Sequence, residues 1–94
     1  HTPQIVVVEE CGLIPDLCTD VHVRVGTGLL HPMQPEHFID HLDFYVDAKF
    51  IGRVMLTPEV NPAGGLHLKH GMGKTLTVIE SCNLHGRWKN EAAL

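Results

Sequence analysis

Asp20-Val21-His22-Val23-Arg24-Val25-Gly26 alternates strictly, with Val21, Val23 and Val25 on one face and His22 and Arg24 on the other. A period of two marks a half-buried strand, and the pattern spreads in both directions along the chain. Upstream, Pro3 to Val8 holds the β-branched run Ile5-Val6-Val7-Val8, and Glu9 to Thr19, with Gly12, Pro15 and Asp16, reads as a loop. Downstream, Gly26-Thr27-Gly28 and Leu29-Leu30 lead into His31-Pro32-Met33-Gln34-Pro35. Two prolines there exclude a central strand or a helix interior. Phe38 to Asp47 alternates again, with Phe38, Leu42, Phe44 and Val46 sharing a face, and Asp47-Ala48-Lys49 turns the chain into a return strand, Phe50 to Leu56. Pro58 to Gly65 reads as a loop, Leu66 to Lys69 as a short strand, Gly71-Met72-Gly73 as a turn, Thr75 to Ser81 as a strand, and the tail from Cys82 as irregular. About seven short strands with frequent turns predict an all-β, immunoglobulin-like β-sandwich.

The chain has 94 residues, the size of one domain spanning 1–94. Hydrophobic residues at 44% and charged residues at 19% exclude a disordered tail. Only 7 Lys and Arg, in no run, with a net charge of -4, argue against nucleic acid as a partner. No apolar stretch approaches the roughly 20 residues of a membrane span, and no signal peptide is visible. A cytoplasmic protein is expected.

Eight histidines are out of proportion, and histidine is the commonest metal ligand. Alternation sorts them: His22, His41 and His67 fall on polar strand faces and are expected in solvent, as is His70 beside a glycine turn. His1, His31, His37 and His85 lie in loops or before the first strand, where sites on a rigid scaffold are usually built. His37 and His41 have the H-x-x-x-H spacing of helical zinc proteases, but Phe38 stands where the glutamate of that motif would be. On a strand the same spacing spans about 13 Å, too far to share an ion.

Cys82-Asn83-Leu84-His85-Gly86 is the sharpest local signal. Cys-x-x-His brings a thiolate and an imidazole close enough to chelate one ion, and Gly86 permits the φ > 0 turn that such a chelate needs. With His31 and His37 the set becomes three nitrogens and one sulfur, which suits zinc or iron.

His31-Pro32-Met33-x3-His37, Phe44-Tyr45-Val46-Asp47, Gly52-Arg53-Val54 and Glu80-x-Cys82-Asn83-x-His85-Gly86-x-Trp88, in this order, resemble the superoxide reductases, which include the neelaredoxins and the iron domain of desulfoferrodoxin. The resemblance implies a mononuclear iron cycling between Fe2+ and Fe3+. It makes His31, His37 and His85 equatorial ligands, Cys82 the axial thiolate and the same four the catalytic set. His1-Thr2-Pro3 matches the family's H-x-P stretch, which makes His1 the fourth equatorial ligand. The implied reaction is reduction of superoxide to hydrogen peroxide with an external donor, typically rubredoxin. Many members carry Glu and Lys directly before that first histidine; this sequence starts at His1, and their part in the site stays open, as does assembly into a homo-oligomer. The rival reading is a β-sandwich binding or electron-transfer module with structural zinc at the Cys/His cluster.

Residues around the motif carry softer expectations. Backbone N–H groups of Asn83 and Leu84 are expected to point at the Cys82 sulfur, Trp88 to serve the core, and Glu80 either to orient a ligand or to stand exposed on its strand. Cys11 and Cys18 are expected as free thiols, with a disulfide the geometrically open alternative.

Overall fold

The structure, a computed structural model, describes residues 1–8, 18–26, 28–69 and 71–94. These contain no helix, and therefore none long and apolar enough to cross a membrane. Their strands are β1 (Pro3–Val8), β2 (Cys18–Val25), β3 (Ile39–Val46), β4 (Lys49–Met55), β5 (Ala63–Lys69), β6 (Thr75–Cys82) and β7 (Gly86–Ala93). They pair in two antiparallel sheets, β1-β2-β5 and β4-β3-β6-β7. The β-sandwich expected from the alternation is the fold observed. Val21, Val23 and Val25 of β2 are fully buried and meet Leu42, Phe44 and Val46 of β3 and Leu76 and Val78 of β6. Each such side chain contributes about 1.5–3 kcal/mol by leaving water.

Asp47 and Ala48 close the β3–β4 hairpin with φ of 47° and 68°. This is the left-handed geometry whose twist matches the flanking strands. The Asp47 carboxylate accepts the N–H groups of Lys74 and Thr75, pinning the hairpin to the start of β6.

Four expectations change. β2 begins at Cys18, so Cys18 and Thr19 are strand; the rest of the loop expected over 9–19 lies outside the described residues, as do Thr27 and His70. β5 begins at Ala63, so Gly64 and Gly65 are strand residues and not loop. A Cβ on Gly65 would sit 2.4 Å from the Val21 carbonyl oxygen, and one on Gly64 3.0 Å from the Val54 side chain, so Gly65 serves close approach of backbones and Gly64 makes room for a core side chain, rather than turning. Phe38 does not share the core face: Ile39 does, fully buried. Ile39 pairs with Cys82 and His41 with Ser81, which leaves Asp40 as an extra residue, and this bulge reverses the parity of everything before it. The segment after Cys82 is not irregular either. β7 pairs with β6 from Gly86 to Ala93, but as a mostly exposed edge strand it carries Arg87, Lys89, Asn90 and Glu91 in place of an apolar period.

Candidate metal centre

His1 precedes β1, His31 and His37 lie between β2 and β3, Cys82 ends β6, and His85 stands in the turn to β7. At this end of the sandwich each of the five offers one donor atom, and the five atoms lie within 4.8 Å of one another. Among the described residues no other group of His, Cys, Asp and Glu is so placed. The four imidazoles form a closed circuit. Ring centroids are 4.7 Å apart for His1–His31, 4.7 Å for His31–His37, 4.9 Å for His37–His85 and 4.8 Å for His85–His1, with interplanar angles of 65° to 80°. Cys82 and His31 are buried, whereas His1 and His85 are exposed, so the circuit opens to solvent on their side.

Local structure sets each donor. The His31 N–H donates to the Val25 carbonyl at 3.0 Å. Its Nδ1 lies 2.8 Å from the Pro32 carbonyl oxygen, which can only accept, so Nδ1 carries the hydrogen and Nε2 turns a lone pair to the cluster. His37 closes a tight turn through paired backbone hydrogen bonds with Gln34, both 2.9 Å. Gly86, at φ 77°, permits the reversal that places His85 Nδ1 3.8 Å from Cys82 Sγ. β7 holds the start of the chain: Asn90 Nδ2 donates to the Pro3 carbonyl at 2.9 Å, and the Trp88 indole stacks on His1.

The donors fit a cation. His1 Nε2 lies 3.1 Å from both His31 Nε2 and His85 Nδ1, and His37 Nε2 is buried with no partner. One ring hydrogen cannot satisfy this convergence of lone pairs, whereas a single ion can. Burial holds the His31 pKa below its usual 6.5, countered by the bond to Pro32 and reinforced by His37, which favours the neutral form that ligates metal. Five donors exceed the four of a closed structural zinc site, so the zinc alternative is not favoured.

The remaining expectations divide. His22 and His67 are exposed, as their strand faces require. His41 is not: its side chain is 13% exposed, with Nδ1 2.6 Å from Asp40 and Nε2 3.7 Å from Asp43. Neither His41 nor Asp43 joins the metal cluster, and the H-x-x-x-H spacing has no joint role. Asp43 is buried on the outer sheet face under a two-pronged bond from Arg53, 2.6 and 3.0 Å. Trp88 is not a core residue: it is 44% exposed, its ring centroid lies 5.2 Å from that of His1 with planes 18° apart, and its Nε1 donates to the His85 carbonyl. Glu80 is fully buried, with no partner for either oxygen. Burial pushes its pKa up to about 7, with Asp40 adding to the effect. The Asn83 N–H donates to the Phe38 carbonyl at 3.2 Å and not to the Cys82 sulfur. Cys82 is a free thiol, but Cys18 is disulfide-bonded, which overturns its expected free state; Cys11 lies outside the described residues. Sequence reading missed the side chains of Asn83 and Asn90, because a lone amide on a turn or an edge strand carries no periodic signal.

The desulfoferrodoxin family model matches residues 1–91. A superoxide reductase of Pyrococcus abyssi is 33% identical over 104 aligned positions, covering 100% of this chain and 86% of that protein. A relative from Methanocaldococcus jannaschii is 33% identical over 73 aligned positions, covering 73% of this chain; the chain spans 63% of that protein's length. The superoxide reductase of Nanoarchaeum equitans superposes with a TM-score of 0.81 at 27% identity, covering 100% of this chain and 92% of that one.

Proposed function

This chain belongs to the desulfoferrodoxin family, and we propose that it is a superoxide reductase in which His1, His31, His37, His85 and Cys82 hold one iron ion. The closed circuit of four imidazoles beside a buried thiol carries this reading. Bound iron would supply a one-electron Fe2+/Fe3+ couple, which zinc lacks. The protein's part is to shape and charge the site. Four neutral imidazoles add no charge and one thiolate adds a single negative charge, so a divalent ion keeps a net positive field that draws in the superoxide anion. Exposed His1 and His85 leave room for a diatomic ligand to approach, while the burial of Cys82 keeps its sulfur from water and oxidants. Superoxide, one electron and two protons balance to one hydrogen peroxide.

Among the described residues there is no second metal cluster to store the electron. A rubredoxin-like protein is proposed as donor, and residues 1–94 as one catalytic domain. A cytoplasmic location belongs to the same reading. The Cys18 disulfide argues against that location, since disulfides persist mainly in oxidising compartments.

The test is a superoxide pulse on the reduced, iron-loaded protein with an electron donor present. Each superoxide consumed is expected to give one hydrogen peroxide and no oxygen. Oxygen appearing in proportion to peroxide would mean dismutation and overturn the assignment, as would stoichiometric zinc in the protein grown with both metals.

A further inference from the structure

The five donors come from segments far apart in sequence, and the ladder that joins two of them stops short of the site. β3 and β6 pair as far as Ile39 and Cys82. Beyond that rung the chains part, the one toward His37 and the other through Asn83 and Leu84 to His85. Asn83 spans the gap. Its N–H donates to the Phe38 carbonyl at 3.2 Å, adding one rung. Its side chain then takes over from the backbone: Oδ1 accepts the Phe38 N–H at 2.9 Å, and Nδ2 donates to the Glu36 carbonyl at 3.2 Å. Glu36 and Phe38 are the two neighbours of His37. One carboxamide, on the residue bonded to Cys82, therefore holds the backbone on both sides of His37.

We propose that Asn83 is a positioning residue of the metal site, locking the His37 turn to the Cys82–His85 turn so that imidazole and thiolate reach one ion together. This rests on the ligand assignment above. The side chain suits the task because it donates and accepts at once across neighbouring peptide groups. Aspartate would keep the acceptor for Phe38 but set a carboxylate oxygen against the Glu36 carbonyl. Alanine would lose both side-chain bonds and keep only the backbone rung. Neither change touches a donor atom, so the effect must pass through the placement of His37. Partners that orient ligands are typically worth about 10–100-fold in metal affinity.

The experiment titrates Co(II) alone into the metal-free chain and its Asn83→Ala and Asn83→Asp variants, following the cobalt–thiolate absorption, and records the thermal unfolding of each metal-free protein. The expected result is tight, one-to-one binding by the wild type. Asn83→Ala should bind at least about 10-fold more weakly with an altered absorption band, Asn83→Asp should lie between, and all three should unfold at similar temperatures without metal. Equal affinities and identical bands in the variants would overturn the clamp while leaving the ligand set intact. Weaker binding that merely tracks a loss of metal-free stability would overturn it as well, because the role would then be general folding. No cobalt–thiolate band in the wild type would instead remove the ligand assignment itself.

Discussion

The indole of Trp88 lies stacked on the imidazole of His1, ring centroids 5.2 Å apart and planes 18° from parallel. His1 lies outside every strand, and its neighbours in the cluster are the other candidate donors. The indole is therefore the protein's main lever on that ring, together with the Asn90 bond to Pro3. An aromatic stack is worth about 0.5–1.5 kcal/mol beyond its buried area, so Trp88→Ala should weaken metal binding by roughly 2- to 10-fold, and Trp88→Phe by less. Trp88 is the single tryptophan in the chain. Its fluorescence should accordingly change when Co(II) is added, and that response should vanish in His1→Ala. An unchanged affinity in Trp88→Ala would show that the stack is incidental.

Ligands and bystanders should separate cleanly by metal content. His31→Ala, His37→Ala and His85→Ala each remove a donor from the cluster and should cut affinity by more than about 10-fold. Cys82→Ser should abolish the thiolate charge-transfer band. His22→Ala and His67→Ala, both on exposed strand positions, should bind as the wild type does. His41→Ala should keep its metal but lose stability on the order of 1 kcal/mol, since its ring packs between Asp40 and Asp43. Metal loss in His22→Ala or His67→Ala equal to that in His31→Ala would contradict the assignment.

The donor cluster was readable because candidate metal sites depend on residue type and spacing: a Cys-x-x-His ahead of a glycine and a histidine pair around Pro32 and Pro35 say much before any fold is known. The sandwich was readable wherever one strand face is wet, as in β2. Legibility ended where burial and polarity part company. Glu80 occupies an inward position of β6 that alternation reserves for an apolar residue. The Asp40 bulge put Phe38 and Ile39 on the wrong faces, since one inserted residue reverses a period of two. β7 lacks an apolar stripe because it closes a sheet edge against water. Its Trp88 therefore read as core, when the ring it covers is the first residue of the chain.

Acid should weaken the fold through Asp43. The bidentate bond from Arg53 is the main reason its carboxyl lies below the usual 3.8, against the opposing effect of burial. A depressed pKa means that the unfolded chain binds the proton more tightly. The stabilisation is then complete above the unfolded value, and it fades as pH falls below about 3.8 through the lower folded value. Urea midpoints measured between pH 6 and pH 2 should fall more steeply in the wild type than in Asp43→Asn, which cannot titrate. Parallel curves would show that other carboxylates dominate the acid response.

Cys18 and Cys82 should differ in chemistry as they do in bonding. Both sulfurs are nearly inaccessible, at 3% residue exposure each, so burial cannot tell them apart. Their bonding can: Cys82 is free and Cys18 is disulfide-bonded, at the start of a strand and with the His67 ring 3.6 Å from its sulfur. Unfolding the protein without reductant, alkylating it and mapping the peptides should label Cys82 and leave Cys18 unmodified; reduction first should label both. Binding the metal before alkylation, without unfolding, should protect Cys82 as well, because a coordinated thiolate is a poor nucleophile toward the reagent. Label on Cys18 without reduction would mean that the disulfide is absent under those conditions, and a reducing cytoplasm would then need no special allowance.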